Sequence, residues 1–116
     1  MVRTFIEVPS FTKKWYELGF SDDDLLELQD VLLDKPDYGV VVQGTGGLRK
    51  LRYAFRNRGK SGSVRICYVD FAIFEKIYLI QVYTKKEKDN LSNSEKVWIK
   101  KYLKILKEEA GGHCNE

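Results

Sequence analysis

Residues 48–83 run LRKLRYAF, then RNRGKSGS, then VRICYVDF, then AIFEK, then IYLIQVY. The first, third and fifth blocks are rich in β-branched and aromatic residues, and glycine, serine and charged residues fill the links. Strands are therefore expected over 48–55, 64–71 and 77–83. Links this short, 56–63 and 72–76, make antiparallel pairing between successive strands the cheapest topology, a three-stranded meander.

The two-residue period of the first strand divides its side chains sharply. Lys50 and Arg52 fall on one face and Leu51, Tyr53 and Phe55 on the other. The apolar face must take the core. Lys50 and Arg52 are then displayed side by side, about 7 Å apart along the strand, close to the spacing of successive backbone phosphates.

On the N-terminal side, Thr4, Ile6 and Val8 alternate with Arg3, Phe5 and Glu7, a further strand that Pro9 ends. Ser10 is expected to cap a short helix carrying Phe11, Trp15 and Leu18, closed by Gly19. Ser21 with Asp24 opens a second helix whose Leu25, Leu28 and Leu32 form a core stripe, and Pro36 stops it. Residues 39–47, GVVVQGTGG, read as a loop feeding the next strand.

On the C-terminal side, Ser92 and Glu95 form a capping box for a last helix. Its rows Trp98, Tyr102, Ile105 and Ile99, Leu103, Leu106 are expected to pack on the sheet, with Lys100, Lys104 and Lys107 facing water. The pattern predicts an α+β domain over 1–110: an antiparallel sheet of about four strands against two N-terminal helices and one C-terminal helix. Residues 111–116 carry no periodicity and are expected to form a flexible tail.

With 116 residues, 43% apolar and 32% charged, the chain has the composition of one folded domain. No apolar run has the length of a membrane span and the start lacks a secretory h-region, so a cytoplasmic protein without a membrane partner is expected. Cys67 and Cys114 show no metal-ligand or disulfide spacing and read as free thiols, with no metal and no cofactor implied.

The formal charge is only +3, yet its distribution is uneven. Residues 38–69 hold no acid and seven cations: Arg49, Lys50, Arg52, Arg56, Arg58, Lys60 and Arg65. Residues 17–37 hold eight acids and only Lys35. A cationic field of this kind binds polyanions by counterion release, although a solvated basic surface has the same composition.

Arg65 opens the second strand of the meander, Arg56, Arg58 and Lys60 occupy the turn before it, and Lys85, Lys86 and Lys88 follow the third strand. All can line one groove for RNA, with Arg49 beside it and Tyr68 and Tyr83 placed to stack on a base. RNA brings its own nucleophile, the 2′-hydroxyl, so cleavage needs proton transfer and cations for the charged phosphorane. The single histidine, His113, lies in the tail, which leaves lysine for the proton work. Crowded cations disfavour one another's charge, and Lys50 is the candidate. Arg52 and Arg65 suit bidentate contact to the phosphate. Residues 54–61, AFRNRGKS, come near a phosphate-binding P-loop, but Ala54 replaces its first glycine and a strand follows where a helix belongs.

Three segments together resemble a known family: residues 43–52, QGTGGLRKLR; residues 59–68, GKSGSVRICY; and residues 78–83, YLIQVY, with Lys85, Lys86 and Glu87. The chain is similar to the HigB branch of the RelE toxins over residues 39–107. The resemblance implies a RelE/ParE-like fold and a toxin of a type II toxin–antitoxin system. It implies ribosome-dependent cleavage of messenger RNA in the A site of the 70S ribosome, by 2′-hydroxyl attack on the adjacent phosphate. It also implies a cognate helix-turn-helix antitoxin, HigA-like, through which alone operator DNA is bound. By position, Lys50, Arg52 and Arg65 match the family's basic catalytic residues and Lys86 a further one. The tyrosine that some members carry a few residues later has no counterpart at Leu91 or Ser92. Two rivals stand beside this reading: a ParE-like gyrase inhibitor without nuclease activity, and a non-catalytic RNA-binding module.

Overall fold

A computed structural model describes residues 2–56, 63–88 and 90–112. In chain order these form β1 (Thr4–Glu7), α1 (Pro9–Glu17), α2 (Asp22–Asp34), β2 (Val40–Val41), β3 (Arg49–Ala54), β4 (Ser63–Phe71), a single 3-10 turn (Ala72–Phe74), β5 (Lys76–Thr84) and α3 (Asn93–Ala110). The expectations for Arg58, Lys60, His113 and Cys114 fall outside the described residues.

One five-stranded sheet results, in the order β1, β5, β4, β3, β2. β3, β4 and β5 are antiparallel neighbours, as the short links require. β1 pairs with β5 in parallel, and α1 and α2 lie within the long crossover that parallel pairing needs. The fifth strand comes from Val40–Val41, inside the segment read as a loop, where two residues pair with Lys50 and Arg49 before the glycines end the ladder.

The helix starts follow local chemistry. α2 and α3 each begin with a complete capping box, Ser21 with Asp24 and Ser92 with Glu95. α1 corrects the expected cap at Ser10. Pro9 is its first residue, and Val8 precedes it without a side-chain cap. Proline lacks the N–H that the first helical position leaves unsatisfied, and its fixed φ already suits a helix.

α1 and α2 cover the sheet face that carries Leu51, Tyr53 and Phe55. The Trp15 ring stacks on Phe20 at 4.6 Å and meets Phe55 edge-on at 5.5 Å, while its indole N–H donates to the Ser21 carbonyl at 3.1 Å. Leu28 and Leu32 are fully buried, and the Tyr53 hydroxyl donates to Glu27 Oε2 at 2.6 Å. Tyr68 fastens the β2 edge to the same layer. Its hydroxyl donates to the Pro36 carbonyl at 2.7 Å and accepts from the Gly39 N–H at 2.8 Å, both buried. Only glycine fits at 39, because a Cβ there would lie 2.9 Å from the Tyr68 ring.

α3 covers the opposite face. Its C-terminal turn reaches β5 through Glu109, which accepts from the Tyr78 hydroxyl at 2.8 Å, and the Ala110 carbonyl, which accepts from Lys76 Nζ at 3.0 Å. Ile99, Leu103, Leu106 and Ala110 are buried. Of the expected row Trp98, Tyr102 and Ile105, only the half-buried Tyr102 packs against the core: Trp98 is 57% and Ile105 61% exposed, and Trp98 stacks on Tyr102 at 5.0 Å. Each residue turns a helix by about 100°, so the row beside the buried stripe already leaves the sheet. No helix among the described residues is long and apolar enough to cross a membrane.

Two stability predictions follow from these contacts. Tyr68→Phe leaves a buried N–H and a buried carbonyl without their partner, and should cost about 1–3 kcal/mol in denaturant unfolding with an unchanged m-value. Leu103→Ala should cost about 2–5 kcal/mol, whereas Trp98→Ala, one face away, should cost under about 1 kcal/mol in the same measurement.

Candidate nucleic-acid interface

The face under α3 gathers the charged residues, and strand register decides which ones. Cross-strand partners share a face. Arg52 pairs with Arg65 and Arg65 with Tyr83, giving one row across β3, β4 and β5. Lys50 pairs with Cys67 and Cys67 with Gln81, giving the next. Directly paired residues lie about 5 Å apart, so Arg52 and Arg65 are contiguous. A bulge between Cys67 and Tyr68 then shifts the register beyond these rows.

The members differ in exposure. Arg52 is exposed, Lys50 is half-buried and Arg65 is only 4% exposed. Lys50 Nζ donates to Asn90 Oδ1 at 3.2 Å, just ahead of α3. Lys88 comes from the loop between β5 and α3, and its ammonium stands 4.9 Å from the centre of the Tyr83 ring. The same ammonium pairs with Glu95 Oε2, whose other oxygen accepts from the Ser92 N–H at 2.9 Å. Hydrogen bonding from Lys88, then from Ser92, holds the Glu95 carboxyl below the usual carboxylate range.

The turn carrying Lys85 and Lys86 is pinned by Glu87. One carboxylate oxygen of Glu87 accepts from the Thr84 N–H at 3.0 Å and the other pairs with Lys14 of α1, and these bonds, Lys14 first, lower its pKa. Lys85 and Lys86 are exposed on that turn, beside the end of the arginine row. A groove of about 250 Å³ opens next to it, lined by Ser10, Lys14, Gln81, Tyr83, Glu87 and Lys88. Among the described residues the Gln81 Oε1 is buried without a hydrogen-bond partner, and the Tyr83 hydroxyl is buried beside the Cys67 thiol.

Electrostatics narrows the chemistry. Burial, more than its neighbours, pushes the Cys67 thiol up to about 11, so it holds its proton near neutrality and is no nucleophile. Burial likewise raises Tyr83 far above the ordinary phenol range, which removes it as a base. Cationic side chains remain as the groups able to meet a phosphate. Among the described residues no cluster of histidine, cysteine and carboxylates could hold a metal.

Several expected RNA contacts are not in this place. Arg49 lies on the other face by alternation, and its guanidinium donates to the Gly39 carbonyl at 2.7 Å. Arg56 lines a separate pocket together with Asp23, Glu27 and Asp30 of α2. Tyr68 is fully buried with its hydroxyl committed to Pro36 and Gly39, and offers no ring to a base. Tyr83 does lie on the cationic face, but it is only 3% exposed and Lys88 occupies the side of its ring. Sequence reasoning passed over Asn90, Gln81 and Glu95. Glu95 was visible as a helix cap, yet its second oxygen had no signature beyond a lysine seven residues earlier.

The description "RelE toxin of RelE / RelB toxin-antitoxin system" belongs to a family model that matches residues 11–113. The fold is also similar to that of a double mutant of the E. coli toxin RelE in the free state. That match has a TM-score of 0.58 at 16% identity and covers 90% of this chain and 99% of the other. With the family match spanning most of the chain and the sheet and helices superposing on that toxin, this chain belongs to the RelE family of toxins from toxin–antitoxin systems.

Proposed function

We propose that the chain is a ribosome-dependent endoribonuclease that cuts messenger RNA in the ribosomal A site. The observation that supports this most is the Arg52–Arg65 row, flanked by Lys50 on the same strand face and by Lys88 above Tyr83. Family membership supports the rest, including neutralisation by a cognate antitoxin, for which a helix-turn-helix protein of HigA type is the expected form.

The reaction needs little from the protein beyond charge and proton transfer. The ribose 2′-oxygen attacks the adjacent phosphorus, the bond from phosphorus to the 5′-oxygen breaks, and a 2′,3′-cyclic phosphate and a 5′-hydroxyl result. One group takes the 2′-proton and another delivers a proton to the leaving oxygen. Lys50 is the proposed proton-transfer residue. Arg65, held rigidly by burial, and Arg52, at the open edge of the row, are proposed to hold the phosphate while its negative charge grows. Lys86, with Lys85, is proposed to meet the same linkage or a flanking phosphate. The groove beside Gln81 is proposed to take a neighbouring base.

A rigid backbone row suits a chemistry carried by lysine and arginine. Preorganised cations in a partly dry setting stabilise a phosphorane without reorganising when it forms. Lys50→Ala and Arg65→Ala should each lower cleavage of translated messenger by about 10²–10⁴-fold while circular dichroism stays unchanged. Arg49→Ala and Arg56→Ala, facing away, should remain within about threefold of wild type, an effect under about 1 kcal/mol. Wild-type cleavage by Lys50→Ala, or growth arrest with intact messenger and damaged DNA, would overturn the assignment.

A further inference from the structure

The start of α3 contains more than a helix needs. A capping box uses two contacts, here Ser92 Oγ accepting from the Glu95 N–H at 3.1 Å and Glu95 Oε1 accepting from the Ser92 N–H at 2.9 Å. That leaves Glu95 Oε2 without a capping task, and it binds the Lys88 ammonium. Two residues before the box, Asn90 Oδ1 takes the Lys50 ammonium. The lysines that approach Cys67 from β3 and from the β5–α3 loop are thus both tied to the start of one helix.

Lysine side chains are long and rotate freely, so an untethered one must be ordered when substrate arrives. A tether made before binding removes that step. We infer that Glu95 is a positioning residue: acting through Lys88, it holds a cation over the row of Arg52, Arg65 and Tyr83 for the RNA phosphate, as Asn90 does for Lys50. This inference rests on the reading of that face as the RNA site.

Glu95 carries a charge that opposes RNA, and this makes its role separable. If the carboxylate only diluted the positive field, removing it would tighten RNA binding and leave the chemical step alone. If it positions Lys88, removing it slows the chemical step even though the surface becomes more positive.

Glu95→Gln is the decisive variant, because glutamine at the same place still completes a capping box and keeps α3 started. In ribosome-dependent cleavage of a defined messenger, kcat should fall between about 10- and 100-fold, with KM unchanged or lower. Lys88→Ala should fall at least as far, and the double variant should be no worse than Lys88→Ala alone, since Glu95 acts only through that lysine. Wild-type kcat in Glu95→Gln, or losses that multiply in the double variant, would overturn the inference.

A second measurement needs no ribosome. Nitrogen-15 NMR of the lysine ammonium groups should show a Lys88 signal protected from exchange in the wild-type protein, lost in Glu95→Gln and retained in Lys50→Ala. An identical Lys88 signal in wild type and Glu95→Gln means that no tether exists, and the inference fails there. A tether present in a wild-type protein that cuts no RNA on ribosomes would instead remove the nuclease reading, and with it any part for Glu95 in cleavage.

Discussion

Everything at the cationic face depends on the register of three strands. Side chains alternate with a period of two, so sliding β3 by one residue against β4 would bury Arg52 among Trp15, Phe20 and Leu28 and expel Leu51 and Tyr53 into water. The apolar layer beneath α1 and α2 therefore acts on the other side of the sheet as well. Each core contact made by Leu51, Phe55 or Ile66 also fixes where Lys50, Arg52 and Arg65 stand. In this sense packing and placement of charge are one constraint.

The sheet also separates the acidic helix α2 from the basic rows, which lie on its other face. The acids of α2 sit over the face that carries Arg56, while the carboxylates near the basic rows, Glu87 and Glu95, are each bound to a named lysine and a backbone N–H. Clustered cations repel one another, and a few well-placed carboxylates offset that repulsion without filling the open side of the row. At 16% identity to the E. coli toxin the fold persists, which is what a constraint residing in register and burial pattern would preserve.

Much of this was legible from the residues because the decisive signals are local. Strand alternation set Lys50 and Arg52 on a common face, and two capping boxes marked the helix starts within a residue. The parallel pairing of β1 with β5 was not legible, since it joins residues far apart in the chain through contacts without a sequence pattern. Arg49 and Arg56 counted toward a basic patch in composition, yet alternation and the acids of α2 send them elsewhere. Tyr68 illustrates the same limit from another side: an aromatic ring with a hydroxyl suits base stacking or burial equally well, and only distant backbone partners decide between them. Trp98 and Ile105 fit a helical core row by spacing, but the sheet accommodates a single stripe of α3.

The pairing of β1 with β5 bears on how the protein comes into being. Thr4 meets Lys76, so β1 waits for a partner made 72 residues later. Contacts of such long range form late, after loop closure over most of the chain. Lys88 and Glu95 emerge later still, and the half-assembled sheet lacks both the strand and the helix that complete the basic rows. The two basic rows are thereby among the last features of the fold to come together, closed by contacts that span most of the described chain.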